Sequence, residues 1–82
     1  MKTNINKMKY YSKVKYVKPS VDGIDITKGK VYECIMSRKE TALIKDDDNF
    51  DILIYIDMCP HLGTCNWIPC DENGKEIELC DI

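Results

Sequence analysis

Cysteine and histidine crowd one end of this chain. Cys59, His61, Cys65, Cys70 and Cys80 follow one another in the spacing C-x-H-x3-C-x4-C-x9-C. Zinc takes four tetrahedral ligands from thiolate and imidazole, usually supplied as close pairs. Cys59, His61, Cys65 and Cys70 could converge on one ion, although no C-x2-C knuckle stands among them. Two other fates fit the same residues. One is free thiols, buried or half-exposed; the other is a disulfide such as Cys59–Cys65 or Cys70–Cys80. Five cysteines are an odd number, which argues against a closed disulfide framework. Cys59 and His61 make a poor nucleophile pair. Pro60 separates them, and no third group can be assigned to orient the base.

The second constellation is acidic: Asp46, Asp47, Asp48 and Asp51. A calcium loop needs alternating oxygen ligands, a glycine at the bend and a distant bidentate glutamate. That layout is absent, so the stretch reads as a solvated acidic hairpin, with a docking surface for a protein partner as its functional alternative. Trp67 is the only tryptophan. It is either an interface anchor or the largest core filler the chain has.

The third constellation is basic. Lys9, Lys13, Lys15 and Lys18 are interleaved with Tyr10, Tyr11 and Tyr16. Lysine neutralises phosphate and tyrosine stacks on bases, which is the chemistry of single-stranded nucleic acid. Lys9, Tyr11, Lys13, Lys15 and Lys18 would carry it. The opposing fact is a net charge of −2, where a dedicated nucleic-acid binder is strongly basic.

The elements that must position these residues are short strands. Eighty-two residues suffice for one domain with a modest core. The pattern predicts a mobile basic arm over residues 1–10 and a single β domain over residues 11–82. A strand over Tyr11–Val17 puts Val14 and Tyr16 on one face and ends near Pro19, which lacks an N–H. Ile24 and Ile26 look like aliphatic anchors in the loop that follows. Gly29 turns the chain into a strand over Val31–Met36, with Tyr32, Cys34 and Met36 inward. Thr41–Lys45 alternates, with Ala42 and Ile44 opposite Thr41 and Leu43. Phe50–Ile56 is apolar on both faces and predicts the most buried strand. Asn66–Pro69 reads as a short edge strand. Asn73-Gly74 is the strongest hairpin signal, leading into a last strand over Lys75–Ile82. Many short strands with no convincing helix predict an all-β barrel or sandwich.

Ile26-Thr-Lys-Gly-Lys-Val-Tyr-Glu-Cys-Ile35, followed by Lys45-Asp-Asp-Asp48, resembles small SH3-like proteins of Firmicutes and their phages. The resemblance covers about Lys13 to Asp57. It implies an SH3-like barrel of five to six antiparallel strands, here with an added C-terminal hairpin, in a group whose members mostly have no assigned role. The stretch from Cys59 onward departs from that pattern.

Charge is divided along the chain. Eight lysines and two acids precede Val31, a net +6; four basic residues and twelve acids follow from Val31, a net −8. No stretch has the length of a signal peptide's apolar core or of a membrane span. These features predict a cytoplasmic, non-enzymatic protein-binding module without a cofactor. A sharper form is a phage- or mobile-element-encoded inhibitor whose Asp46, Asp47, Asp48 and Asp51, with Trp67, meet a host enzyme such as a defence nuclease. Nucleic-acid binding and a structural zinc module are the alternatives.

Overall fold

The computed structural model describes residues 14–38 and 40–77. The described chain is all-β apart from one short 3-10 turn. Its strands are β1 (Tyr16–Pro19), β2 (Tyr32–Glu33), β3 (Met36–Ser37), β4 (Thr41–Lys45), β5 (Asp51–Tyr55) and, after the 3-10 turn Pro60–Leu62, β6 (Trp67–Cys70). They form two antiparallel three-stranded sheets, ordered β2-β1-β6 and β3-β4-β5. Neither sheet closes on itself. The proposed arm, residues 1–10, and most of the final strand lie outside the described residues.

Backbone hydrogen bonds tie the two sheets at two seams. At the first, Cys34 N–H donates to Lys15 O and the next residue, Ile35, donates to Leu43 O, at 2.8 and 2.7 Å. The chain thus passes from one sheet to the other between β2 and β3. At the second, Ile56 N–H donates to Glu40 O at 2.9 Å, while Ile56 O accepts from Trp67 N–H at 2.8 Å. One core fills the space between: Val17, Ile26, Tyr32, Ile44, Ile54, Ile56, Leu62 and Trp67 are all buried in it.

Glycine is required at two places. Gly29 has φ of 78°, in a turn closed by Lys30 N–H on Thr27 O at 3.1 Å. At Gly23 an added Cβ would stand 2.5 Å from His61 O, so only glycine lets the β1–β2 loop lie against the 3-10 turn.

Several features follow the pattern in the sequence. Pro19 ends β1, and Ala42 and Ile44 face inward. Pro69 sits in an edge strand, where no N–H is needed. Asp71 to Gly74 makes the expected turn, with Gly74 N–H on Asp71 O at 3.0 Å.

Four features differ. In β1 the inward residues are Val17 and Pro19, not Tyr16. Regular pairing starts only at Tyr16, so a two-residue period counted from Val14 arrives out of phase. Val14 is buried ahead of the strand, its carbonyl bonded by the Ser37 hydroxyl at 2.6 Å. Val31–Met36 is not one strand, because the sheet change at Cys34–Ile35 breaks the alternation; Tyr32 is buried, Cys34 half-buried and Met36 exposed. Of the two loop anchors only Ile26 is buried. Finally, β5 is an edge strand rather than the most buried one. Ile54 faces the core, while Leu53 and Tyr55 face solvent.

Candidate functional site

The β4–β5 hairpin carries the four aspartates, and their surroundings divide them. Asp47 is held from three sides. Its Oδ1 accepts from Lys30 Nζ and the Tyr32 hydroxyl, both at 2.7 Å, and its Oδ2 accepts from the Thr27 hydroxyl at 2.7 Å. The Gly29 turn delivers all three donors, since Thr27 and Lys30 are its ends and Tyr32 begins β2. The backbone joins in: Asp47 N–H donates to Asp25 O at 2.8 Å, and Thr27 N–H donates to the Tyr32 hydroxyl at 2.8 Å. Lys30 first, then the two hydroxyls, lower the Asp47 carboxyl to about 2. Lys30 is raised in turn, chiefly by its bond to Asp47. Tyr32 continues inward, edge to face with Trp67 at 5.6 Å between ring centres. Asp47 is therefore the outer end of a clasp that reaches the core, not an open docking residue.

Two more of the four are engaged. Asp46 Oδ1 accepts the N–H groups of Asp48 and Phe50 at 3.0 and 2.9 Å, fixing the hairpin turn. Asp51 pairs with Lys45 at 2.6 Å across the strands. Asp48 is exposed beside Asp25, whose carboxyl is raised by desolvation first and then by Asp48. Trp67 is 2% exposed. That excludes it as a surface anchor in this conformation, and its volume goes to the core between the sheets.

The described cysteines do not converge on one point. Cys59 is fully buried and sits opposite Cys65 in an isolated antiparallel bridge, with Cys59 N–H on Cys65 O at 2.9 Å. His61 points to solvent from the 3-10 turn, and Cys70 is buried at the end of β6. Cys34, Cys59, Cys65 and Cys70 are free thiols. Burial pushes the Cys34 thiol up to about 11 and raises Cys70 as well. A protonated thiol is a poor nucleophile. Among the described residues no three His, Cys, Asp or Glu side chains gather as a metal-holding group.

Of the basic set, Lys9, Tyr11 and Lys13 lie outside the described residues. Lys15 is exposed and Lys18 half-buried on β1. Lys15 lines a shallow groove of about 360 Å³ with Tyr16, Cys70, Asp71, Glu72, Asn73 and Ile77. Its one lysine faces two carboxylates, which does not suit a phosphate.

The feature the sequence reading missed is the outer face of the second sheet. Met36 pairs with Leu43, and Leu43 pairs with Leu53, so one apolar row crosses all three strands on one face. Met36 is 51% exposed and Leu53 56%. Tyr55, 47% exposed, extends the row along β5, opposite Thr41. The Lys45–Asp51 pair closes the other side. The signal was present in Leu43 and Leu53, each central on the polar-flanked face of its strand.

No protein-family model, curated protein or solved structure matches this chain. Among the described residues no helix is long and apolar enough to cross a membrane.

Proposed function

We propose that this chain is a non-enzymatic protein-binding module of SH3-like form, and that it binds through the outer face of its second sheet. The observation that carries the reading is the exposed row Met36–Leu43–Leu53 with Tyr55 beside it. Single exposed apolar residues are ordinary, but a contiguous set framed by polar groups marks an interaction surface. The frame here is Thr41, Lys45 and Asp51. A dry centre with a polar rim is how protein interfaces are built.

Two features support the SH3-like form. The first and last described strands are neighbours in one sheet. The Trp67–Ile56 bond then brings β6 back toward the end of β5, and the continuous chain at Cys34–Ile35 carries β2 into β3. The acidic hairpin contributes less to binding than its charge suggests. Three of its four aspartates hold the turn, the clasp or the cross-strand pair. Asp48 is left at the rim.

The test is a partner capture from the cell of origin with surface variants as bait. Wild type and Asp48→Asn are expected to retain the same stoichiometric protein, and the double variant Met36→Ser, Leu53→Ser is expected to lose it. Retention by the double variant, with loss by Asp48→Asn, would move the site back to the hairpin.

A further inference from the structure

We propose that two copies of this chain associate through their β5 edges, paired antiparallel about a two-fold axis at Leu53, so that two three-stranded sheets become one. The ladder phase supports this. Asp46 N–H donates to Phe50 O, and Ile56 N–H donates to Glu40 O, both at 2.9 Å. Antiparallel ladders alternate bonded and non-bonded pairs. Ile52 and Ile54 therefore turn their backbone groups toward β4, as do the Phe50 carbonyl and the Ile56 N–H. Asp51, Leu53 and Tyr55 turn theirs outward, and among the described residues no hydrogen bond is made to them.

Proteins guard such an edge with lysine, proline, a bulge or a covering loop. Asp51-Ile-Leu-Ile-Tyr55 has neither lysine nor proline, and it pairs with β4 residue for residue without a bulge. The only charge on it, Asp51, is already neutralised by Lys45 at 2.6 Å.

The strand is also self-complementary. With Leu53 opposite its copy, Asp51 falls opposite Tyr55 of the second chain and Tyr55 opposite its Asp51. Every outward N–H and C=O of the three residues then finds a partner. The two Asp51 carboxylates stand about 14 Å apart along the strands, four residues at about 3.4 Å each. Each lies opposite a neutral tyrosine, so like charges do not meet. A two-fold contact of one patch with itself is the commonest form of subunit association. The apolar row continues across the joint, from Leu53 to its copy. The outer face stays open, so this pairing stands independently of the binding role proposed for that face.

Sedimentation equilibrium of the full chain, joined to amide hydrogen exchange, tests the pairing. The mass is expected to rise from 9.5 kDa toward twice that value as concentration increases. Over the same range the Asp51, Leu53 and Tyr55 amides should slow by about tenfold or more, while Ile52 and Ile54 are slow throughout. Leu53→Pro removes the central N–H at a position where an edge strand tolerates proline, and it should hold the mass at 9.5 kDa. The exchange pattern of the wild type decides the matter should that variant fail to fold. A mass fixed at 9.5 kDa up to millimolar concentration overturns the proposal. So does association with no new protection at the three amides, which points to face-to-face packing. Protection of all three in the 9.5 kDa species also overturns it, because a segment of the same chain then covers the edge.

Discussion

The β4–β5 hairpin tip and the outer face of the sheet behind it are neighbours with opposite roles. The tip carries three consecutive aspartates and looks like a docking surface. Its most engaged member, Asp47, accepts three side-chain hydrogen bonds and anchors Tyr32, which packs on Trp67. The outer face carries Met36, Leu43 and Leu53, the composition of a core, yet Met36 and Leu53 are half exposed. Polar chemistry here holds the fold, and apolar surface is what is left exposed. A side chain's role follows from whether its partners are already present, more than from its type.

The largest effects should come from the inward end of the clasp. Trp67→Ala should cost about 3–5 kcal/mol and Ile54→Ala about 2–5 kcal/mol in urea unfolding. A loss under about 1 kcal/mol at Trp67 would break the link between hairpin and core. Tyr32→Phe keeps the ring packing and removes only the hydroxyl shared by Thr27 and Asp47. It should cost about 1 kcal/mol. A double-mutant cycle with Asp47→Asn should show coupling between the two positions, and additive losses would contradict the clasp.

Smaller effects appear as pH dependence. Asp47 is depressed from 3.8 to about 2 on folding. Its contribution is therefore complete above the unfolded value and is lost as pH falls from near 4 toward 2. Asp47→Asn should flatten that acid limb. Cys34 is raised from 9.0 to about 11, so the neutral thiol favours the fold below pH 9 and stability falls as pH rises toward 11. Cys34→Ala should flatten the alkaline limb. An unchanged limb in either variant assigns the titration elsewhere.

The sequence was informative where local chemistry decides. Gly29 demanded its turn, Pro19 ended its strand, and Ala42 and Ile44 alternated with the polar side of β4. It was silent where tertiary geometry decides. The sheet change at Cys34–Ile35 has no glycine or proline to announce it, so Met36 looked internal. The apolar faces of β5 looked doubly buried because nothing local says that a strand lies at an edge. Asp47 was readable as acidic, but its three donors lie fifteen to twenty residues earlier and become visible only once the Gly29 turn meets the hairpin.

The most direct measurement is the unfolding free energy of Asp47→Asn and Leu53→Ser, side by side with wild type at neutral pH. Asp47→Asn should lower stability clearly, and Leu53→Ser should stay within about 0.5 kcal/mol of wild type under conditions that keep the chain monomeric. The reverse ranking, a neutral Asp47→Asn with a strongly destabilised Leu53→Ser, would contradict the division between a hairpin that holds the fold and a face that the fold does not need.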